Sequence, residues 1–154
     1  MESKKEQLIT EVVYQGNHTY EIKKTIDGFK GDKAILIGLY PTVDGDNITK
    51  IDSTQLHLIN HMKELGLNEV RIMNLYSEVF DRKPTTSQLT YDKENFEYIT
   101  QAVNTAGEYK LIIAYGSSHS SNKTTNILKK NLLEAISNSK AKDRVYQISS
   151  GAKF

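Results

Sequence analysis

The chain has 154 residues, 38% of them hydrophobic and 25% charged, enough for one domain with a buried core and short for two. Its net charge is +1 and it has no cysteine, which excludes disulfides, thiolate metal sites and thiol nucleophiles and provides no overall field toward nucleic acid or a membrane. No apolar run approaches the roughly 20 residues that span a bilayer, and "MESKKEQLIT" leads into no apolar segment of signal-peptide length, so a cytoplasmic protein is expected.

"LITEVVY" and "TYEIKKTI" are rich in β-branched and aromatic residues, with "QGNH" between them as a turn. They predict an N-terminal β-hairpin over residues 1–30, preceding an α/β core over 31–154, within a single domain 1–154. "DGFKGD" breaks the chain, and "KAILIGLY" then runs apolar without alternation, as a strand buried on both faces does. Asp52 or Ser53 can cap the next helix, whose apolar stripe is read as Leu56, Ile59, Met62 or Lys63, and Leu65, closing at "GLN". "EVRIMNLY" is a second buried strand. "SEVFDRKPTTSQLT" is a long polar connection, and Asp92 caps "KENFEYITQAVNTA". "YKLIIAYG" is a third buried strand. "NILKKNLLEAIS" is an amphipathic helix presenting Ile127, Leu128, Leu132 and Ile136, and "DRVYQIS" is a short last strand.

Strands and helices alternating in this way predict a three-layer α/β/α domain with a central four-stranded parallel sheet. In open sheets of this kind ligands sit beyond the carboxyl ends of the strands. That directs attention to Gly38–Asp46, Asn74–Tyr76 and Tyr115–Ser121. In the first, Pro41 stiffens the strand exit, and Asp44 and Asp46 are placed to orient a water or a cation. In the second, Asn74 offers a donor and an acceptor side by side at the end of a buried strand, matching the edge of a pyrimidine or an amide. In the third, "YGSSHSS" puts His119 among serines without the G-x-S-x-G elbow of a hydrolase. His57 and His61 are one helical turn apart, but a zincin glutamate and a third ligand are missing, so no metal and no cofactor are expected. Lys129 and Lys130 read as the solvated face of their helix. "NHT" and "NIT" are glycosylation sequons only in a secreted chain.

Taken together, the three strand ends resemble the uracil-DNA glycosylase superfamily. "LIGLYP" is similar to its first motif, a strand followed by G-x-(D/N)-P. "VRIMNLY" is similar to the strand whose terminal Asn reads the uracil edge, and "LIIAYGSSHSS" to the strand ending in an aromatic-Gly pair. The chain more closely resembles a small uncharacterised bacterial domain family, frequent on mobile genetic elements. Its N-P-S-T, D-x-T, N-L-(F/Y), Pro, Asn and W-G signatures look like Tyr40-Pro41-Thr42, Asp52-Ser53-Thr54, Asn74-Leu75-Tyr76, Pro84, Asn95 and Tyr115-Gly116 here. The resemblance covers about residues 33 to 136 and implies a uracil-DNA glycosylase-like fold. It also implies a ligand pocket built from Gly38, Leu39, Tyr40, Pro41, Thr42, Asn74, Tyr76, Gly116 and Ser117.

Departures from the resembled pattern bear on the chemistry. The motif-one carboxylate or amide position is Tyr40, which is neutral at pH 7. The histidine loop expected after the last strand is replaced by "QISSGAKF", and no aromatic residue lies between Tyr40 and Tyr76 to stack on a base. Each missing electrostatic or acid–base element is worth about 10²–10³ in rate. The expectation is therefore a catalytically inactive, uracil-DNA glycosylase-like pseudo-enzyme related to DNA repair. It would bind a nucleobase-containing ligand, such as a nucleotide or single-stranded nucleic acid, or a small acidic DNA-mimicking inhibitor protein, with Tyr40 partly filling the base pocket and its hydroxyl bonded to Asn74. The alternatives are a divergent glycosylase or nucleotide hydrolase using Asp44, Asp46 or Asp52, with His119, and a nucleic-acid-binding module without chemistry.

Overall fold

The computed structural model describes residues 1–105, 107–139 and 142–147. Its strands are β1 (Gln7–Gln15), β2 (His18–Asp27), β3 (Asp32–Gly38), β4 (Leu67–Asn74), β5 (Lys110–Ile113) and β6 (Val145–Gln147), and its helices α1 (Ser53–His61), α2 (Lys93–Thr105) and α3 (Lys123–Ser137). All six strands form one sheet in the order β1-β2-β4-β3-β5-β6. The four strands β4-β3-β5-β6 are mutually parallel. The predicted hairpin is part of this sheet, because β2 runs antiparallel along the free edge of β4, with Ile22 opposite Ile72. A hairpin alone is marginal in water, and pairing with β4 supplies the further strands that stabilise it.

Alternation along the buried strands separates two cores. Ala34, Leu36, Val70, Ile72 and Ile112, joined by Ile22 and Ile26, pack under Leu58 and Met62 of α1. Ile35, Ile37, Met73, Leu111 and Ile113 pack on the other face under Ile99, Ala102 and Val103 of α2 and Leu128, Leu132 and Ile136 of α3. Strands covered by helices on both sides have no polar face to alternate, hence their continuous apolar runs.

The caps of α1 and α2 follow the sequence, whereas α3 starts at Lys123, three residues before the expected Asn126, with Asn122 as its cap. Asp52 accepts from the Gln55 amide at 2.8 Å, Asp92 from the Glu94 amide at 3.0 Å, and Asn122 from the Thr125 amide at 2.8 Å. Two apolar stripes need correction. In α1 the inward residues are Gln55 and Leu58, followed by Met62 at its C-cap, while Leu56 and Leu65 are 49% and 46% exposed. In α3, Ile127 faces solvent and Thr125 takes the buried position. Each inward stripe opens on a polar residue, which shifts the reading of α1 by one position and in α3 misplaces only the first residue, since Leu128, Leu132 and Ile136 face inward as expected. Among the described residues the last strand covers Val145–Gln147, starting after Asp143 and Arg144, and the expected loss of a histidine loop falls on residues 148–154, outside the described residues. No helix among the described residues is long and apolar enough to cross a membrane.

Lys24 lies on the α1 face of β2 at 1% exposure, and its Nζ donates to Thr10 Oγ1 at 2.7 Å. Burial lowers its pKa, partly offset by the negative charge of Asp52. An ammonium so placed opposes folding, and an apolar residue of similar length removes that opposition. Lys24→Met is expected to raise the unfolding free energy at pH 7 by about 1–2 kcal/mol. A depressed amine pKa means that the unfolded chain binds more protons, so the parent gains stability as pH rises from the folded-state pKa toward 10.5. The gap between variant and parent should therefore narrow in denaturant titrations at successively higher pH, and a constant gap would locate the effect elsewhere.

Candidate functional site

At the carboxyl end of the parallel strands lies a cavity of about 270 Å³. Its apolar floor is Ile22, Leu36 and Ile72, neighbours in one row across β2, β4 and β3. Its walls are the β3 exit from Gly38 to Thr42, the Asp52–Gln55 segment that opens α1, Asn74 at the end of β4, and Ala114, Tyr115 and Ser118 beyond β5. The volume falls just below the roughly 300–1,000 Å³ of pockets for drug-sized molecules, so the occupant is small.

Asn74 is fixed from behind. Its backbone carbonyl accepts from Asn95 Nδ2 of α2 at 2.8 Å, and the Leu75 carbonyl accepts from the same nitrogen at 3.2 Å. The Leu75 amide donates to the Gly38 carbonyl at 3.0 Å, extending the β3–β4 pairing past the strand ends. Asn74 as a residue is 6% exposed, and its side-chain amide borders the cavity with no hydrogen-bond partner among the described residues. It lies so close to Gly38 that a Cβ there would stand 2.5 Å from Asn74 Oδ1. A side chain at 38 would therefore displace the Asn74 amide from its present position.

Tyr40 lines the cavity and packs against the α2–α3 core, and no bond joins its hydroxyl to Asn74 among the described residues. The expected plug is therefore a wall, and the cavity beside it stays open. Tyr115, which opens the third strand-end segment but is absent from the pocket that the resemblance implied, supplies an aromatic ring. Burial raises its pKa, keeping the phenol neutral, and Lys129 Nζ sits 4.8 Å from the ring centroid while donating to the Gly116 carbonyl at 3.1 Å. Lys129 thus braces the loop after β5 from the rim and is more than a solvated charge.

Other residues singled out in the sequence lie elsewhere. Tyr76 is buried in the core at 1% exposure, its hydroxyl paired with Thr125 Oγ1 at 2.7 Å. Gly116 and Ser117 are outside the lining, and Gly116 takes φ +64° at the turn. Asp44 and Asp46 belong to a turn in which Asp44 Oδ1 accepts from the Asp46 amide at 2.9 Å, and neither lines the cavity. That turn is fastened to the hairpin, since Thr19 Oγ1 donates to the Val43 carbonyl at 2.7 Å and the Tyr14 ring lies against Gly45. His119 also lies outside the cavity, its Nδ1 bonded to Thr86 Oγ1 at 2.7 Å. His61 bonds the His57 carbonyl of its own helix, and no group of three His, Cys, Asp or Glu side chains suited to a metal occurs among the described residues. The carboxylate that does reach the cavity is Asp52, which accepts from Thr42 Oγ1 at 2.5 Å as well as from the Gln55 amide.

A second polar cluster stands outside the cavity. Ser77 Oγ donates to Asp92 at 2.6 Å and lies 2.7 Å from His18 Nδ1. His18 Nδ1 also lies 3.5 Å from Asp92 Oδ2, but Ser77 gives its proton to the carboxylate and not to the histidine, which is not the order of a hydrolytic triad. Its effect is to tie the start of β2 and the exit of β4 to the cap of α2.

No curated protein and no solved structure matches the chain. One family model matches residues 20–153, from β2 to one residue short of the end of the sequence. The chain therefore belongs to the family described as a protein of unknown function, DUF1643.

Proposed function

We propose that the protein binds a nucleobase moiety in the cavity at the strand ends, on a scaffold resembling that of uracil-DNA glycosylases, and does not perform conventional glycosylase chemistry. One observation carries this reading: Asn74 ends a buried strand and presents to a small cavity an amide that no other described residue engages. An amide left free at a cavity wall can exchange water for a ligand with an adjacent donor and acceptor, at about 0.5–1.5 kcal/mol net per hydrogen bond. The lactam edge of a nucleobase has that pattern, with an N–H beside a C=O. The apolar floor and the rings of Tyr40 and Tyr115 suit the faces of a flat heterocycle. Against chemistry, the motif-one position is a tyrosine, and Asp52, the carboxylate of the lining, is engaged as a helix cap and by Thr42.

Calorimetric titration with the free bases tests the reading. At least one lactam-bearing base should bind the parent. Asn74→Asp, which replaces the NH₂ donor with a carboxylate oxygen, should weaken binding by roughly 10–100-fold, the weight of one or two buried hydrogen bonds. Uracil-containing DNA incubated with stoichiometric protein should release no base. Binding unaffected by Asn74→Asp would remove the support for the reading, and base release would move the search for a catalyst to Asp52.

A further inference from the structure

Gln55 is 1% exposed and borders the cavity, and neither its Oε1 nor its Nε2 has a hydrogen-bond partner. It stands in the first turn of α1, a nine-residue helix whose opening residues Asp52, Ser53 and Thr54 also line the cavity. A buried glutamine amide with both ends idle is destabilising in place, and a leucine there would extend the apolar contacts of Leu58 and Met62. Asp52 limits what can approach. Its carboxylate only accepts, already holds Thr42 and the Gln55 backbone amide, and repels anions. This end of the cavity therefore calls for uncharged groups that both donate and accept. Hydroxyls do so, and two adjacent hydroxyls match a carboxylate beside an amide.

We infer that the α1 wall is a hydroxyl-binding subsite in which Gln55 and Asp52 take the vicinal hydroxyls of a pentose, so that the ligand is a ribonucleoside. This rests on the nucleobase reading of Asn74. With the base edge on Asn74 and the sugar toward α1, the ligand spans the cavity from the β4 end to the helix. The Gln55 amide reaches the sugar by rotation of its side chain toward the cavity it already borders. A site that hydrogen-bonds a hydroxyl rejects the analogue lacking it, because its own buried groups are then left unpaired.

The test is calorimetric titration of the full chain with the four ribonucleosides, their 2′-deoxy counterparts and the free bases, alongside Gln55→Leu, Asp52→Asn and Asn74→Asp. The parent should bind one ribonucleoside roughly 10-fold or more tightly than its deoxy form. Gln55→Leu should bring the two affinities within about two-fold, mainly by weakening the ribonucleoside, with a melting temperature equal to or above the parent's. Asp52→Asn keeps a good helix cap and should also narrow the ratio, so the inference does not depend on one variant folding. Equal affinities in the parent, or a ratio unchanged in both variants, would overturn the inference. If base binding were still lost in Asn74→Asp, the nucleobase reading would survive that result. Absence of binding by every base and nucleoside would overturn both.

Discussion

Arg71→Ala is expected to lower the unfolding free energy by about 3 kcal/mol, a fall in melting temperature of roughly 6–12 °C for a chain of this size. Arg71 on β4 donates from Nε at 2.8 Å to Glu21 Oε1 on β2, and its Nη2 lies 2.7 Å from the same oxygen. The Tyr98 hydroxyl of α2 reaches the same oxygen at 3.0 Å. The Glu21 side chain is 7% exposed and that of Arg71 21%, so water screens the pair poorly. A surface ion pair contributes about 0–1 kcal/mol. Here the loss is larger because truncating Arg71 leaves a carboxylate buried between the hairpin and α2 without its counter-charge. Arg71 also stacks 5.8 Å from the centroid of Tyr109, whose pKa is pushed up to about 12 by burial and by its bond to Glu69, so ring packing is lost as well. The pair Glu21→Leu with Arg71→Met removes both charges and should lie within about 1 kcal/mol of the parent. Chemical denaturation of the two singles and the double separates these effects. A loss under about 1 kcal/mol in Arg71→Ala would mean that water reaches Glu21 after all.

The parallel strands were legible because burial on both faces leaves a mark that needs no partner to be recognised. "AILIG" and "KLII" read as strands from composition alone. The placement of the hairpin was not legible. Lys24 sits at a core-facing position of β2 between Ile22 and Ile26, and a charge there hides the inward face that docks the hairpin onto β4. The stripe of α1 was misread for a related reason, since a nine-residue helix has few inward positions and one of them is Gln55.

In the site, Gly38 and Asn74 could be read because they end buried strands. Thr54 was visible as a helix start but not as cavity wall, whereas Asp52 was visible both as a cap and as one of three candidate carboxylates. Tyr76 was misassigned because its partner, Thr125, lies 49 residues away, a separation no local pattern reports. Asp44 and Asp46 looked functional by composition, yet Thr19 and Tyr14 make their turn a fastening for the hairpin. The signal that would have found Gln55 is a polar residue falling in register with Leu58 and Met62. That register becomes visible only once the helix has a known inward face.

Asn95→Ala should cost about 2–3 kcal/mol and also weaken base binding, because one side chain supports both the fold and the site. Asn95 is fully buried in the first turn of α2, and its Nδ2 is shared by the carbonyls of Asn74 and Leu75. Truncation strands two buried acceptors and frees the backbone that aims the Asn74 amide. Asn95→Asp is the sharper variant. It keeps the shape but puts a carboxylate oxygen against those two carbonyls, so it should be destabilised by at least another 1 kcal/mol relative to alanine. The other end of the Asn95 amide, Oδ1, already lacks a partner, so nothing at that end offsets the added charge. Melting temperature and base affinity together separate support of the fold from aiming of the site. A stability loss with unchanged affinity would mean that the β3–β4 pairing through Gly38 and Leu75 holds Asn74 by itself. If aspartate were no worse than alanine, the shared nitrogen would not be what fastens α2 to the end of β4.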